Sequence, residues 1–319
     1  MNCSFIHILG IITLLTLSGC EHKELCYDHP HMIQLKVVFD WTKAPDASPE
    51  SMSLYLFPQN GRKVLHYELP GHEGGTIRVP EGRYEALCLN SDTEGVYCRN
   101  TNQITTFEVT TRSTTLLSDF FTLKTNNSKI PRAKGTENER IALAPEELWS
   151  SHEENILLEQ TSENQTIRFC PEVSTQSCTV EIHNAENLKF VSKINATIST
   201  MAGGLLAGTG PNALSEEHVT IPFKTTVSPD KTVITGSFRT FGHCPSSSNS
   251  HKLVIYTVLT DNSKWYYTFD VTKQIHTVSV PQNIHIRLEN LPIPKPITGS
   301  GGFNPSVDDW KDMEIKIEM

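Results

Sequence analysis

The sequence predicts an all-β protein that consists of two tandem β-sandwich domains. Short runs rich in β-branched and aromatic residues recur along the chain, and Gly, Pro, Asn and Asp separate them. No segment carries the period of a long helix. About 300 of the 319 residues follow an apolar N-terminal segment, which is enough chain for two domains of ordinary size.

Residues 31–123 form the predicted N-terminal sandwich. Tight turns at Gln59-Asn60-Gly61 and Pro80-Glu81-Gly82 separate runs in which apolar and polar residues partly alternate. About seven strands are expected here, a density typical of a β-sandwich. They cover residues 33–40, 53–57, 63–69, 76–79, 84–89, 104–109 and 114–117.

Residues 124–160 are predicted to form a connector with one short helix. Residues 124–140 are polar and lack periodicity, which indicates an exposed segment. The run Ala144-Pro145-Glu146-Glu147-Leu148-Trp149 is typical of a helix start. Proline suits the first turn, and acidic side chains favour the positive end of the helix dipole.

Residues 161–296 form the predicted C-terminal sandwich, and Greek-key order is expected for both sandwiches. No helix of more than a few turns and no short-period repeat is expected in it. Its strands are predicted at residues 166–169, 179–183, 190–199, 219–222, 232–240, 253–260, 265–271, 277–280 and 284–288.

Residues 297–319 combine a glycine-rich hinge with a terminal strand. The alternate prolines before them, at positions 292, 294 and 296, favour a stiff and extended path. Met313, Ile315, Ile317 and Met319 alternate with charged residues, so a strand would place these candidate strand-donor residues on one face. Three interpretations stay open: the strand closes its own domain, it is lent to another subunit by β-augmentation, or it frays.

The N-terminus has the pattern of a bacterial lipoprotein signal. The apolar segment from Phe5 to Leu17 is too short to span a membrane. It leads into Leu17-Ser18-Gly19-Cys20, which matches a lipobox. Cleavage between Gly19 and Cys20 would remove a signal peptide of residues 1–19 and leave Cys20 to carry acyl chains at the start of a tether, residues 20–30. No Lys or Arg precedes the apolar run, and the alternative is an ordinary secretory signal with an incidental cysteine.

The charge and the cysteines restrict the function of the exported chain. A net charge of −9 disfavours nucleic acid as a partner. Export permits disulfides. Cys88 and Cys98 flank a turn-rich stretch, and Cys170 and Cys178 flank polar residues and a proline, so each couple could form a local disulfide. Six cysteines would remain after export and lipidation, and the last two, Cys26 and Cys244, would pair or stay free.

The sequence lacks motifs for catalysis and cofactor binding. Gly203-Gly204 and Gly208-Thr209-Gly210 lack the Lys-Ser/Thr ending of a phosphate loop, and no Gly-x-Ser-x-Gly, His-Glu-x-x-His or Cys-x-x-Cys occurs. The cluster Cys26-Tyr27-Asp28-His29-Pro30-His31 could bind zinc or copper, but Pro30 prevents helical ligand spacing, and a structural role before the first strand is preferred. We expect no enzyme activity, no nucleotide, no cofactor and no metal.

An aromatic run at Trp265-Tyr266-Tyr267 raises an alternative function, because flat rings can stack on sugars. In a strand Trp265 and Tyr267 point to one side and Tyr266 to the other, so at least one ring is expected in the core. A glycan-binding surface lipoprotein of a polysaccharide-uptake system is therefore the alternative. Exposed rings at positions 265 and 267 would favour it, and buried rings would favour a role in assembly.

Several short motifs together resemble one known family. They are Cys26-Tyr27-Asp28-His29-Pro30-His31, Phe39-Asp40-Trp41, Ser51-Met52, Phe57-Pro58 with Gly61, Gly74-Gly75, Pro80-x-Gly82-x-Tyr84, Asn90-x-Asp92 and Asp309-Trp310 after the glycines. The chain is similar to the fimbrillin-associated anchor lipoproteins of Bacteroides-type bacteria over nearly all its length after the signal, most specifically in residues 20–98 and 299–319.

The resemblance implies two transthyretin-like sandwiches without catalysis or cofactor, and assembly by strand donation between subunits. It also implies an anchor or minor subunit of a fimbria, held at the outer membrane and exposed at the cell surface. Only Cys20 carries over as a functional residue, as the lipid attachment site. Fimbrial stalk subunits are the expected protein partners.

Overall fold

The computed structural model describes residues 31–117, 130–160, 165–210, 213–243, 250–277, 282–296 and 310–314. In these ranges the chain forms β-strands, one short helix, α1 (Thr272–His276), and three single 3₁₀ turns. The strands are β1 (Met32–Phe39), β2 (Ser51–Pro58), β3 (Leu65–Pro70), β4 (Gly74–Pro80), β5 (Gly82–Asn90), β6 (Val96–Arg99), β7 (Glu108–Thr111), β8 (Arg140–Ile141), β9 (Trp149–Leu158), β10 (Gln165–Phe169), β11 (Glu172–Val173), β12 (Gln176–His183), β13 (Val191–Ala202), β14 (Gly204–Leu205), β15 (His218–Val227), β16 (Ile234–Thr240), β17 (Lys252–Leu259), β18 (Lys264–Asp270), β19 (Asn283–Glu289) and β20 (Trp310–Glu314). The all-β prediction is confirmed.

The N-terminal sandwich packs a three-stranded sheet against a five-stranded one. The first has the order β10-β1-β4 and the second the order β11-β9-β5-β2-β3. The alternating residues of β1, from Ile33 to Phe39, point into the core between the sheets. There they meet Met52, Leu54 and Leu56 of β2, all fully buried.

This sandwich takes three of its strands from a later part of the chain than the predicted range 31–123. Strand β10 runs parallel to β1, from Leu35 opposite Gln165 to Phe39 opposite Phe169, and β9 pairs with β5. The local strand pattern of residues 149–173 is compatible with either sandwich. The pairing partner is therefore a property of the tertiary structure.

Residues 144–149, predicted as a helix start, contain no helix. Leu148 is fully buried and Trp149 begins β9. The acids that suggested a helix dipole bind elsewhere: the Glu146 carboxylate accepts the backbone N–H groups of Glu94 and Gly95. Tertiary contacts override the helix signal here.

Residues 130–141, predicted as part of an exposed connector, pack onto the C-terminal domain. Ala133 is buried with Val254, Tyr256 and Val258 of β17, and the Tyr256 hydroxyl donates to the carbonyl oxygen of Pro131 over 2.8 Å. The outer face of β17 is apolar, and residues 130–141 cover it despite their polar composition, because exposed apolar surface is unfavourable in water.

The predicted strand at 114–117 is not a strand, and 278–280 of the predicted strand 277–280 lie outside the described residues.

The C-terminal domain is built on one large sheet that folds around its core. Its strand order is β19-β12-β16-β15-β13-β17-β18-β20, with β8 beside β15. One half of β15 pairs with β13 and the other half with β16, so this strand carries the bend between the two layers. Tyr267, Phe269 and Ile286 are fully buried between these layers.

A small third sheet, the junction sheet, joins the two domains. It has the order β14-β7-β6, and β14 belongs to the C-terminal half of the chain. Under it lies a junction cluster that takes residues from both domains: Phe57, Leu87, Leu89, Phe107, Val109, Leu148, Leu205, Ala207 and Phe241. The domains therefore share one apolar interface.

We expect Phe169→Ala to lower the free energy of unfolding by about 3–5 kcal/mol, because this fully buried ring fills the N-terminal core from β10. The measurement is the urea unfolding midpoint of the exported chain. The control is Leu157→Ala, a change on β9 at a side chain that is 41% exposed, where little loss is expected. Equal losses for both variants would contradict the assignment of β10 to this core.

Candidate functional site

The candidate site is the edge of the C-terminal sheet where β20 lies. Strand β20 runs parallel to β18, from Trp310 opposite Lys264 to Glu314 opposite Thr268. The sheet order ends at β20, so within the described residues no strand pairs with its second edge. An edge of this kind presents backbone N–H and C=O groups to another strand.

The two faces of β20 have different contacts. Met313 packs against the C-terminal core, and the Lys311 ammonium lies 5.0 Å from the centre of the Trp265 ring on the same face. On the opposite face the Trp310 ring stands edge-on to Tyr256, with ring centres 5.4 Å apart. One face thus joins the core, and the other joins the cover formed by residues 130–141.

The remaining candidate strand-donor residues, Ile315, Ile317 and Met319, lie outside the described residues. For residues 310–314 the structure has the strand paired within its own domain. Gly19 and Cys20, at the predicted cleavage and lipidation site, also lie outside the described ranges. No described helix has the length and apolarity to cross a membrane.

The aromatic run on β18 forms no open platform. Tyr267 is fully buried, Trp265 packs against the core beneath Lys311, and Tyr266 lies on the other face. Burial raises the pKa of Tyr267 well above its ordinary value. By the criterion set from the sequence, this arrangement favours assembly over glycan capture.

The four cysteines of the two expected local disulfides, Cys88, Cys98, Cys170 and Cys178, are free in the structure. Cys88 points into the N-terminal core, whereas Cys98 packs against the junction cluster on the other face of β5. Cys178 lies in the C-terminal core, and Cys170 lines a cleft beside β9. Cys88 and Cys98 are close in sequence but lie on opposite sides of β5, because successive side chains of a strand point to opposite faces. Cys170 and Cys178 are separated by the boundary between the two domains.

A cleft of about 580 Å³ lies between β9, β11 and the loop after β14. The described residues that line it include serines, His152, Glu153 and Lys43, but no Trp, Tyr or Phe. Lys43 and Glu172 form an ion pair of 3.3 Å across part of its wall. The cleft therefore offers no stacking surface for a sugar from these residues.

An ionic network that sequence reasoning missed crosses the junction. The Arg99 guanidinium donates to both oxygens of Glu108, each over 2.7 Å, and to Glu217 over 2.9 Å. Arg140 donates to Glu217 over 2.7 Å, and this bond holds the pKa of the Glu217 carboxyl below its ordinary value. Glu217 is 118 residues from Arg99 and 77 residues from Arg140, so no local pattern could have identified the whole network.

The glycines at positions 203 and 204 belong to this network and not to a phosphate loop. A Cβ on Gly204 would lie 2.6 Å from Glu108 Oε1 and 2.8 Å from the carbonyl oxygen of Val109. The Thr110 hydroxyl donates to the carbonyl oxygen of Gly203 over 2.6 Å. These glycines let the backbones of the two domains approach each other.

Three histidines form a second group that the sequence did not indicate. His243, His251 and His276 come from separate elements, and their ring centres lie 4.7 to 5.7 Å apart. Of the predicted cluster at residues 26–31, only His31 is described, and it is exposed.

Two sandwich cores, a shared junction and an edge strand at the C-terminus define the class of this molecule as a two-domain, all-β protein. The family model of a domain of unknown function, DUF5119, matches residues 19–224. This is more than half of the chain, and the chain belongs to the DUF5119 family.

The chain is also similar to individual proteins. A protein of Bacteroides ovatus with the provisional name fimbrium anchoring subunit Fim4B is 23% identical over 346 aligned positions, which cover 97% of this chain and 96% of the relative. A crystal structure from Bacteroides ovatus, provisionally titled an adhesin, has a TM-score of 0.61 at 21% identity and covers 88% of this chain and 99% of its own. A Bacteroides thetaiotaomicron structure, provisionally titled polysaccharide-binding, has a TM-score of 0.51 at 11% identity, covering 81% and 90%. The two structures show the fold.

We expect Gly204→Ala to destabilise the protein by about 1–3 kcal/mol, because the new Cβ would press on Glu108 and on the backbone of Val109. The measurement is again the shift of the urea midpoint. Gly95→Ala is the matched control, since its Cβ would have no neighbour nearer than 3.6 Å. A neutral Gly204→Ala would show that the two domains do not approach closely at β14.

Proposed function

We propose that the protein is a lipid-anchored subunit of the outer membrane that anchors or terminates a fimbria through strand-mediated contacts. The observation that carries the proposal is β20, a short terminal strand on the outer edge of the C-terminal sheet. The near-complete coverage of a relative named as a fimbrium anchoring subunit supports it. The lipobox at Leu17-Ser18-Gly19-Cys20 supports the anchor.

Strand β1 runs from the end of the first sandwich where the predicted lipid tether would join it to the end near the second domain. Met32 begins β1 opposite Pro80, and the strand extends for about 25 Å toward Phe39. At that far end the Asp40 backbone N–H donates to the carbonyl oxygen of Phe169. Lys43 lines the cleft there, and Gln282 of the C-terminal domain lines the same cleft. A lipid on Cys20 would therefore hold the end of the first sandwich that is remote from the second domain.

Strand β20 can serve assembly in two ways. Its open edge can accept a strand from a stalk subunit, or β20 can leave β18 and pair with that subunit. Main-chain hydrogen bonds would supply affinity in either case. The apolar face that begins with Met313 would supply packing.

A glycan-binding role has less support. The rings that would form its platform lie in the core or beneath Lys311, and the described lining of the cleft has no aromatic side chain. The fold likeness to a structure titled polysaccharide-binding is a likeness of architecture alone.

We expect deletion of residues 310–319 to abolish fimbrial assembly while lipidation and folding persist, measured by surface fimbriae in electron micrographs and by thermal unfolding. Normal assembly by a folded, truncated chain would refute the strand's role. If the truncation does not fold, Ile315→Asp with Ile317→Asp tests the same face, and Lys316→Asp is the control with the same change of charge. Normal assembly by the double variant would also refute that role.

We expect Cys20→Ala to abolish incorporation of labelled palmitate and to release the protein from the membrane fraction, because the acylated thiol would be lost. Cys26→Ala is the matched control and should retain both. Labelling that survives Cys20→Ala would contradict the predicted anchor.

A further inference from the structure

The short helix α1 caps the free edge of the C-terminal sheet at the end opposite β20. Strand β19 is the last strand of the sheet order and pairs only with β12 among the described strands. The Gln274 amide of α1 donates to the carbonyl oxygen of Arg287 over 3.0 Å and accepts its backbone N–H over 2.8 Å. One side chain thus occupies the place of a neighbouring strand and blocks pairing at this edge.

A histidine triad ties α1 to the body of the domain. His276 ends α1, His251 precedes β17, and His243 follows β16. Nε2 of His251 lies 3.0 Å from Nε2 of His276, so one ring donates an N–H and the other accepts it. Nδ1 of His251 lies 3.3 Å from the carbonyl oxygen of Ser199, which can accept only from a protonated nitrogen. When His251 is neutral, its Nε2 therefore accepts the N–H of His276.

Buried surroundings oppose a charge on two of these rings. His251 is fully buried, and burial lowers its pKa to about 4. Burial and the neighbouring His276 also lower the pKa of His243, whose Nδ1 is buried and has no hydrogen-bond partner among the described residues. His276 is exposed. Opening of the triad would return water to His251 and let it take a proton at its ordinary pKa.

Titratable and charged side chains surround the triad on β15, β17, β18 and α1. His218 of β15 acts on His251 and disfavours its charged form. Lys252 of β17 is paired with Asp270 of β18 over 2.7 Å, and Asp270 also accepts the backbone N–H of Thr272. Lys273 of α1 is exposed. No described carboxylate is among the groups that shift the pKa of His243 or His251, and the nearby Glu139 carboxylate accepts from Thr200.

We propose that His243, His251 and His276 form a proton-operated latch, which holds α1 over the edge of β19 at neutral pH and releases it in acid. Ile275 of α1 is 2% exposed in the C-terminal core and keeps the latch closed when the rings are neutral. Release would free the N–H and C=O groups of Arg287 for pairing with another strand. The latch is independent of the proposed role of β20.

The sign of the effect follows from proton linkage. The open state binds more protons than the closed state below pH 6.5, so acid favours opening, and the effect grows until His251 protonates in the closed state near pH 4. For His251 alone, the fraction open should rise about 30-fold between pH 7.5 and pH 5.0.

Hydrogen exchange with mass spectrometry on the exported chain tests the latch. After correction for intrinsic exchange rates, peptides over 272–289 should exchange about 30-fold faster at pH 5.0 than at pH 7.5, while peptides of β13 should not change. His251→Gln should reduce this response strongly, because an amide does not titrate and His243 is then the one buried ring of the triad left to respond. His285→Gln, at an exposed histidine of β19 outside the triad, should retain it.

Two results would overturn the proposal: an equal response of α1 and β13, or a full response in His251→Gln. If His251→Gln does not fold at pH 7.5, the imidazole resonances of the wild-type chain decide. A His251 ring that titrates near pH 6.5 while the chain stays closed would contradict the latch, and a ring still neutral at pH 5.0 in that closed state would support it.

Discussion

Two strands that are apolar on both faces impose the constraint on which the architecture depends. In β5, Ala86 and Cys88 face the N-terminal core, whereas Leu87 and Leu89 face the junction cluster. In β17, Ile255 faces the C-terminal core, whereas Tyr256 faces outward. A strand of this kind must be covered on both sides, because exposed apolar surface is costly in water.

Each of these two strands is covered on its outer face by a separate part of the chain. The junction sheet covers β5 and takes β14 from the second domain, so one apolar cluster fastens both domains. Residues 130–141 cover β17, and Trp310 of β20 packs against the same Tyr256. The terminal strand and the covering segment are thus held by one cluster.

The charged residues at the junction fix how the two domains are oriented across this apolar contact. Arg99 pairs inside the junction sheet with Glu108, whose side chain is 7% exposed, and also with Glu217 of the C-terminal domain, so a shift of one domain would separate Arg99 from Glu217. The alternating order Glu108, Arg99, Glu217, Arg140 fixes the junction sheet against β8 and β15. Such a joint would suit the anchoring role proposed above.

Local pattern by itself determined the all-β class and the segments of β1 to β5, because the alternation of side chains and the turn glycines are properties of neighbouring residues. It also predicts an apolar face at Met313, Ile315, Ile317 and Met319, of which Met313 alone is described, and a lipid on Cys20. Only the tertiary structure decided that β9 to β11 return to the first sandwich, that Cys88 and Cys98 lie in clusters on opposite sides of β5, and that three distant histidines meet at α1. Strand pairing and side-chain clusters depend on which distant apolar faces cover each other, and that choice is made by the packing of the whole chain.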